Sequence, residues 1–147
     1  MQTTIEGHES IDVPIDRLRA FMEDNSNIAK CIPDSKNFTN IDNSNFTIEI
    51  EAGISVVHGT FKFAGNASHD GDTYTYSLKG KGLGSDVSIT ITISLSALGN
   101  ESTGVAWKTS AQFGGIISGV SEPIIKSVTN QKVAEIIDKL KKELASA

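Results

Sequence analysis

The stretch DVSITITISLSA, residues 86–97, alternates strictly between apolar and polar side chains after its first residue. Its apolar residues occupy the odd-numbered positions from Val87 to Ala97, and Ser or Thr occupies each position between them. Because successive side chains of a β-strand point to opposite faces, this pattern predicts a strand with one buried and one solvated face. An antiparallel sheet is the usual setting for such a strand.

Other segments extend this pattern into a meander. Similar strands are predicted at residues 5–13, 46–51, 73–79 and 105–113, with another around Phe61 and Phe63. Twelve of the thirteen glycines lie between Gly53 and Gly119, which is typical of a region of strands and tight turns. Hairpin loops are expected at residues 71–72, 80–84 and 99–100.

Helices are expected on both sides of the meander. Pro14 is suited to the first turn of a short helix, and Asp24 or Asn25 can cap a second one that Pro33 ends. The segment 118–144 is long and poor in glycine after its first turn, which predicts a long terminal helix.

The long helix has an apolar face that two polar residues interrupt. Ser121, Ile125, Val128, Thr129, Lys132, Val133, Ile136 and Leu140 fall on one half of its helical wheel. Three interpretations of Thr129 and Lys132 stay open at this point. The helix kinks there, the Lys132 stem reaches back to solvent, or the face borders a space where polar groups bind something.

These elements together predict a single α+β domain that spans residues 1–147. A twisted antiparallel sheet with helices on one face suits this order, and the long helix is the natural cover for the concave side. We expect a cleft between the sheet and that helix.

Composition and charge narrow the function. The formal net charge of -5 argues against nucleic acid as a partner. Cys31 is the only cysteine, so no internal disulfide can form, and no secretory signal is visible, which predicts a cytoplasmic protein. All basic residues after residue 122 are on the predicted long helix: Lys126, Lys132, Lys139, Lys141 and Lys142. A solvated helix face is the ordinary explanation for such a group of charges.

No familiar catalytic spacing is present in the sequence, and no cofactor, metal site or catalytic residue is predicted. The glycine-rich run 79–84 lies between two strands instead of opening a helix, so it does not indicate a nucleotide site. Three histidines, His8, His58 and His69, are expected to face solvent, and Cys31 is expected to be a buried, inert thiol.

Glu9 is the one acidic residue with an unusual position. It occupies one of the alternate positions of the first strand that otherwise carry its apolar residues. Pointing inward, its carboxyl would have a raised pKa and could hold the polar head of a ligand or act as a base. The alternative is an edge strand that bends Glu9 into solvent.

Several segments resemble one known family. The run 20–33, which ends in Cys31-Ile32-Pro33, resembles the family of the G subunit of carbon monoxide dehydrogenase. Two further segments resemble the same family: the glycine-punctuated turn at 78–82, and the double glycine after Trp107 that leads into the long helix. Lys132-Val133-Ala134 is similar to a Lys-Leu-Ala stretch of the same family, and the resemblance covers about residues 4–144.

The resemblance implies a helix-grip fold of the START-like (SRPBCC) superfamily, in which a seven-stranded antiparallel sheet wraps around the long terminal helix. In that fold, two short helices follow the first strand, and an apolar cavity lies between the sheet and the long helix. It also implies an accessory role that connects a molybdenum-containing dehydrogenase to the membrane and its quinones. Longer relatives carry a membrane-attachment tail, so we expect this chain to make at most transient membrane contact.

This chain departs from the family pattern at two places. Asp34 stands where the family has glycine, and residues 55–59 replace a Gly-Pro-Val approach to the central strand. Both changes are expected near the mouth of the cavity, so the ligand of the family does not transfer directly.

The leading hypothesis is a non-catalytic binding protein for a lipid or quinone-like molecule. The predicted cavity wall consists of Phe21, Phe46, Ile50, Phe61, Phe63, Tyr74, Tyr76, Trp107, Ile125, Val128 and Thr129, with Glu9 and Lys132 as polar candidates. The alternatives are a core without a cavity, an enzyme that uses Glu9 with Lys132, and a module that only docks on a protein partner.

Overall fold

The computed structural model describes residues 2–42, 44–54, 57–82, 84–115 and 119–146. Its strands are β1 (Gln2–Ile11), β2 (Ser35–Asn40), β3 (Asn45–Ile54), β4 (Val57–Asp70), β5 (Thr73–Gly82), β6 (Ser85–Ala97) and β7 (Thr103–Gly115). Its helices are α1 (Ile15–Met22), α2 (Asn25–Cys31) and α3 (Glu122–Ser146).

The strands form one antiparallel sheet in the order β1-β7-β6-β5-β4-β3-β2. From β2 to β7 every strand pairs with its neighbour along the chain, so the predicted meander is confirmed. β1 and β2 lie at opposite edges of the sheet, and α1 and α2 form the connection between them. This is the seven-stranded helix-grip arrangement that the family resemblance implies.

The long helix α3 covers one face of the sheet, which we call the inner face. It packs against α2, β1 and β3, and it buries Ile125, Ile137, Leu140 and Leu144. The inner-face side chains of the sheet, such as Ile48 and Val105, are buried on the same side. α3 begins at Glu122, later than the predicted start at residue 118, which lies outside the described part of the chain.

The two short helices begin where the sequence predicts. Pro14 precedes the first residue of α1. Asp24 is the N-cap of α2, because its carboxylate accepts a hydrogen bond from the Ser26 backbone N–H at 2.9 Å. α2 ends at Cys31, two residues before Pro33.

Arginines hold the short helix α1 to distant parts of the fold. Arg19 donates two hydrogen bonds to Asp72 in the β4–β5 turn, at 2.7 and 2.9 Å. Arg17 donates to the carbonyl of Leu144 near the end of α3, at 2.6 Å. A bidentate guanidinium–carboxylate pair fixes direction as well as distance, so α1 is oriented relative to both the sheet and α3.

Three aromatic rings lie flat over glycines of the neighbouring strand. Phe46 pairs with Gly65, Phe63 with Gly80, and Trp107 with Gly7 across the sheet. A Cβ atom added at any of these glycines would lie within 2.5 Å of the ring opposite. The rings therefore occupy the space that side chains would otherwise fill, which is a known way to stabilise glycine in curved strands.

This stacking corrects one prediction from the sequence. Residues 80–84 were expected to form a loop, but β5 continues through Gly82. Gly80 is a buried strand residue whose missing side chain makes room for Phe63. A glycine at an inner-face position and a glycine in a turn look alike in the sequence.

We predict that Gly80→Ala lowers the free energy of unfolding by about 1–3 kcal/mol, because the new methyl group overpacks the Phe63 ring. Urea denaturation followed by circular dichroism measures the change. Gly119→Ala is the control, since a Cβ atom there meets nothing within 4 Å. Equal stability of the two variants would contradict the proposed stacking.

Candidate functional site

A cavity of about 180 Å³ lies between the inner face of the sheet and α3. It is partly open, and side chains from β3 to β7, from α3 and from the turn after α2 surround it. The wall consists of Ile32, Pro33, Ile50, Phe61, Phe63, Leu78, Val87, Ile89, Ile91, Thr109, Ala111, Phe113, Val128, Thr129, Lys132, Val133 and Ile136.

The wall is almost entirely apolar. Its two threonines add little polarity, because the Thr129 hydroxyl donates to the Ile125 carbonyl of its own helix at 2.8 Å and Thr109 is buried within the sheet. Lys132 is the only charged residue among the described residues that line the cavity. The site therefore favours an apolar molecule that has at most one polar end.

Lys132 lies at the rim of this cavity and forms ion pairs with two carboxylates. Its Nζ is 3.0 Å from Oδ2 of Asp34 and 4.0 Å from Oε2 of Glu135. α3 runs without interruption past this point, so Lys132 reaches a carboxylate at the edge and its stem also borders the empty space. A lysine that reaches the edge and a helix face that borders a space are therefore both found, and what that space binds stays a prediction.

Asp34 reaches Lys132 from an unusual backbone conformation. Its φ is 61°, in the left-handed region that favours glycine. The Glu51 backbone N–H donates to the Asp34 carbonyl at 2.9 Å, which holds the turn between α2 and β2 against β3. The position thus suits glycine, and the aspartate adds a carboxylate at the cavity rim.

The structure brings together about half of the predicted wall. Ile50, Phe61, Phe63, Val128, Thr129 and Lys132 border the cavity. Phe46, Tyr74, Tyr76 and Ile125 are buried elsewhere in the core, and Phe21 and Trp107 are packed against it. These residues face inward as predicted, but the pattern of a strand tells which face a residue takes and not whether another side chain fills the space in front of it.

The prediction from the sequence missed several wall residues, although the strand and helix patterns indicate that they face inward. Val87, Ile89 and Ile91 share the inward parity of the clearest strand, and Val133 and Ile136 lie on the predicted face of the long helix. Small inward residues such as Ala111 leave space in front of them, so they line the cavity together with the aromatic residues that the prediction favoured.

Comparison with known proteins agrees with this geometry. The family model for the G subunit of carbon monoxide dehydrogenase (CoxG) matches residues 7–145. The chain belongs to this family. A comparison with curated protein sequences gives no match.

Solved structures share the fold of this CoxG family member. A conserved protein from Geobacillus kaustophilus superposes with a TM-score of 0.88 at 20% identity, covering 98% of this chain and 96% of that one. A START superfamily protein from Mycobacterium smegmatis gives 0.79 at 12% identity, covering 97% of both chains. The Zhui aromatase/cyclase from Streptomyces sp. R1128 gives 0.74 at 9% identity, covering 99% and 94%.

Glu9 does not meet Lys132 in this CoxG family member. Its carboxylate contacts the ammonium of Lys141 instead, and both side chains are about two-fifths exposed. Lys141 lies nine positions after Lys132, which is about 13.5 Å along a helix. The predicted pairing of Glu9 with Lys132 is therefore wrong, and Glu9 is not part of the cavity wall.

Most of the lysines on α3 are used inside the molecule. Lys132 and Lys141 pair with Asp34 and Glu9, and Lys142 pairs with Asp138 one turn back on the helix. Lys139 donates to the Lys30 carbonyl at 3.5 Å. Three of these lysines, Lys132, Lys139 and Lys141, therefore connect the helix to other parts of the fold.

Cys31 and the histidines are the remaining side chains that could carry chemistry. Cys31 is buried, and loss of hydration raises the pKa of its thiol to about 11. His8 and His69 are exposed, while the His58 side chain and residues 55–56 lie outside the described part. No group of metal-binding side chains occurs among the described residues, and none of the described helices is long and apolar enough to cross a membrane.

Tyr76 carries a buried hydroxyl without a hydrogen-bond partner among the described residues. Burial raises the pKa of this phenol well above its usual range, so the group stays neutral. Leaving a buried hydroxyl unpaired is unfavourable for folding.

We predict that Tyr76→Phe raises the free energy of unfolding by about 1 kcal/mol, because it removes a buried hydroxyl that has no partner. Urea unfolding monitored by tryptophan fluorescence provides the measurement. Tyr74→Phe, at the preceding inward position of the same strand, is a control in which no unpaired hydroxyl is removed. A loss of stability in Tyr76→Phe would show that the hydroxyl has a partner after all.

Proposed function

We propose that this protein is a non-catalytic carrier that binds a lipid or quinone-like molecule in the cavity under α3. The apolar wall, with Lys132 as the one charged residue among its described members, is the observation that supports this proposal. Apolar walls with few polar groups are typical of small-molecule sites, and the hydrophobic effect then supplies most of the affinity.

The size of the cavity limits what it encloses. An apolar protein cavity of about 150 Å³ holds a molecule of benzene, so about 180 Å³ suits a ring system or a short acyl segment. Six to eight buried methylene groups contribute about 5–6 kcal/mol before the losses of binding are counted. A longer isoprenoid or acyl tail would extend out of the mouth.

The family supports an accessory role for the carrier. We infer that it is accessory to a carbon monoxide dehydrogenase-type molybdenum enzyme and assists the coupling of that enzyme to membrane quinones. Its membrane contact is expected to be transient, because intramolecular partners occupy most lysines of α3. The enzyme alternative loses its main support, since Glu9 and Lys132 are not paired.

The ligand proposal predicts uptake of a ring-sized quinone. Native mass spectrometry of the protein with 2-methyl-1,4-naphthoquinone should show one bound molecule. Val133→Phe, which places a ring inside the cavity, should weaken binding about tenfold or more, because part of the buried apolar contact is lost.

Ala134→Phe is the matched control for Val133→Phe. It places the same ring on the exposed side of α3, at the next position of the helix. Binding should be unchanged in this variant. Absence of any complex with the quinone, or equal binding by both variants, would refute the proposal that the cavity is a ligand site.

The accessory role predicts a split between two activities in the host cell. Without this protein, carbon monoxide-dependent reduction of quinone by membranes should fall, while dye-linked carbon monoxide oxidation by the extracted dehydrogenase should not change. Ala134→Phe should restore quinone reduction and Val133→Phe should not. Equal loss of both activities would indicate a role in making the dehydrogenase instead.

A further inference from the structure

We propose that the outer face of the sheet, opposite α3, binds an acidic segment of a protein partner through Lys62, Lys79 and Lys81. These lysines border an open groove of about 690 Å³ across β3 to β6, which we call the lysine groove. The inference rests on the proposed accessory role, in which the partner is the dehydrogenase. It adds the surface and the charge through which the two proteins meet.

The register of the sheet places two of these lysines face to face. Lys62 on β4 is the direct partner of Lys81 on β5, and Lys79 lies two positions before Lys81 on the same strand. All three side chains are exposed. Like charges at directly opposed positions of an antiparallel pair are unfavourable for folding. A negatively charged group that binds between them would relieve this repulsion.

The lysine groove differs from other charged positions of the outer face, where lysines have partners inside the molecule. The ammonium of Lys36 is 3.2 Å from a carboxylate of β3, and that of Lys108 is 3.6 Å from one of β1. Within the described ranges, no carboxylate lies within 4.0 Å of the ammonium groups of Lys62, Lys79 and Lys81. Their positive charge is therefore available to a partner.

Two acidic residues stand at the ends of the row that contains the opposed lysines. Glu49 on β3 is the register partner of Lys62, and Asp86 on β6 is that of Lys81. Across four strands the row therefore reads negative, positive, positive, negative. With Lys79 included, the lysine groove carries a formal charge of +1, although the whole chain carries -5. A segment with carboxylates at its centre and uncharged residues on either side complements this row.

The shape of the lysine groove favours a protein segment over a membrane surface. Ala64 and Ser88, which have short side chains, are the register partners of Lys79 on the two neighbouring strands. They leave room beside the lysine for a side chain of another protein. A flat anionic bilayer does not enter such a groove, and it would bring its phosphates against Glu49 and Asp86.

Docking at the lysine groove leaves the cavity accessible. The cavity lies on the inner face, between the sheet and α3, and Lys132 marks its rim there. A partner on the outer face does not cover this rim. The protein can therefore stay docked while a ligand enters or leaves, which suits an accessory carrier.

Biolayer interferometry with the purified dehydrogenase holoenzyme of the same host tests this surface. The triple variant Lys62→Gln/Lys79→Gln/Lys81→Gln should bind about tenfold or more weakly than the wild type at low salt, because the charge complementarity is lost. The affinity of the wild type should fall as salt is added. The triple variant should fold at least as stably as the wild type, since the opposed charges are gone.

The matched control is Lys108→Gln/Lys126→Gln/Lys142→Gln, which removes the same amount of charge outside the lysine groove. Its affinity for the dehydrogenase should stay within about twofold of the wild type. A similar loss of affinity in both triple variants would show that only the overall charge matters, and the proposal would be wrong. Circular dichroism confirms that each variant is folded before affinities are compared.

Asp86→Asn tests the charge pattern in the opposite direction. It removes a negative charge from the lysine groove, so docking should become about two- to fivefold tighter. Asp70→Asn is its control, because Asp70 is exposed and lies about 26 Å along β4 from Lys62. Only Asp86→Asn should strengthen docking. The same affinity for both variants would refute the assigned groove.

The outcomes separate docking from the carrier function. The naphthoquinone should bind the wild type and every variant equally, because the cavity is on the other face. If the quinone binds but the dehydrogenase does not, or if the Lys62/Lys79/Lys81 variant docks as well as the wild type, the docking proposal is wrong and the carrier proposal stands. If neither binds, both proposals fail.

Vesicles of phosphatidylglycerol and phosphatidylcholine test the membrane as the other occupant. They should bind the wild type and the Lys62/Lys79/Lys81 variant equally in a sedimentation assay. Loss of vesicle binding in this variant, with unchanged docking on the dehydrogenase, would make the groove a membrane contact and overturn the proposal.

Discussion

One long and two short helices must remove the inner face of a seven-stranded sheet from water, and the rest of the structure depends on this constraint. Seven strands at about 4.8 Å spacing span roughly 30 Å, whereas a helix with its side chains is only about 10–12 Å wide. A flat sheet would leave much of its apolar face exposed. The sheet therefore has to curve around α3, and α1 and α2 have to cover what α3 does not reach.

The glycine–aromatic pairs connect this curvature to the cavity. Gly65 and Gly80 let Phe46 and Phe63 lie against neighbouring strands instead of standing toward the helix. Phe63 rests on Gly80 and also forms part of the cavity wall. Ile89 and Ile91, on the inner face of β6, are only partly buried because empty space and not a packed side chain lies in front of them.

Charged side chains attach α3 to the rest of the fold, near the C-terminal end of the helix and beside the cavity. Lys141 contacts Glu9 on β1, Arg17 of α1 binds the carbonyl of Leu144, and Lys132 contacts Asp34 after α2. Each exposed pair contributes little stability by itself. Their value lies in position, because they set which residues border the mouth of the cavity and which charge a ligand meets there.

The sequence by itself determined most of the elements and the faces of their side chains, although residues 80–82 are strand and not the expected loop. Alternation in β6, the cap at Asp24 and the apolar face of α3 depend on neighbours within a few residues, and all are found in the structure. The resemblance around Cys31-Ile32-Pro33 indicated the family in the same local way. Only the tertiary structure decided which inward residues meet empty space and which carboxylate each lysine meets. Asp34 and Lys132 are 98 residues apart, and Glu9 and Lys141 are 132 apart, so the curvature of the sheet and the placement of α3 determine both pairs. A strand pattern records the direction of a side chain, whereas a cavity depends on what several distant elements leave unfilled.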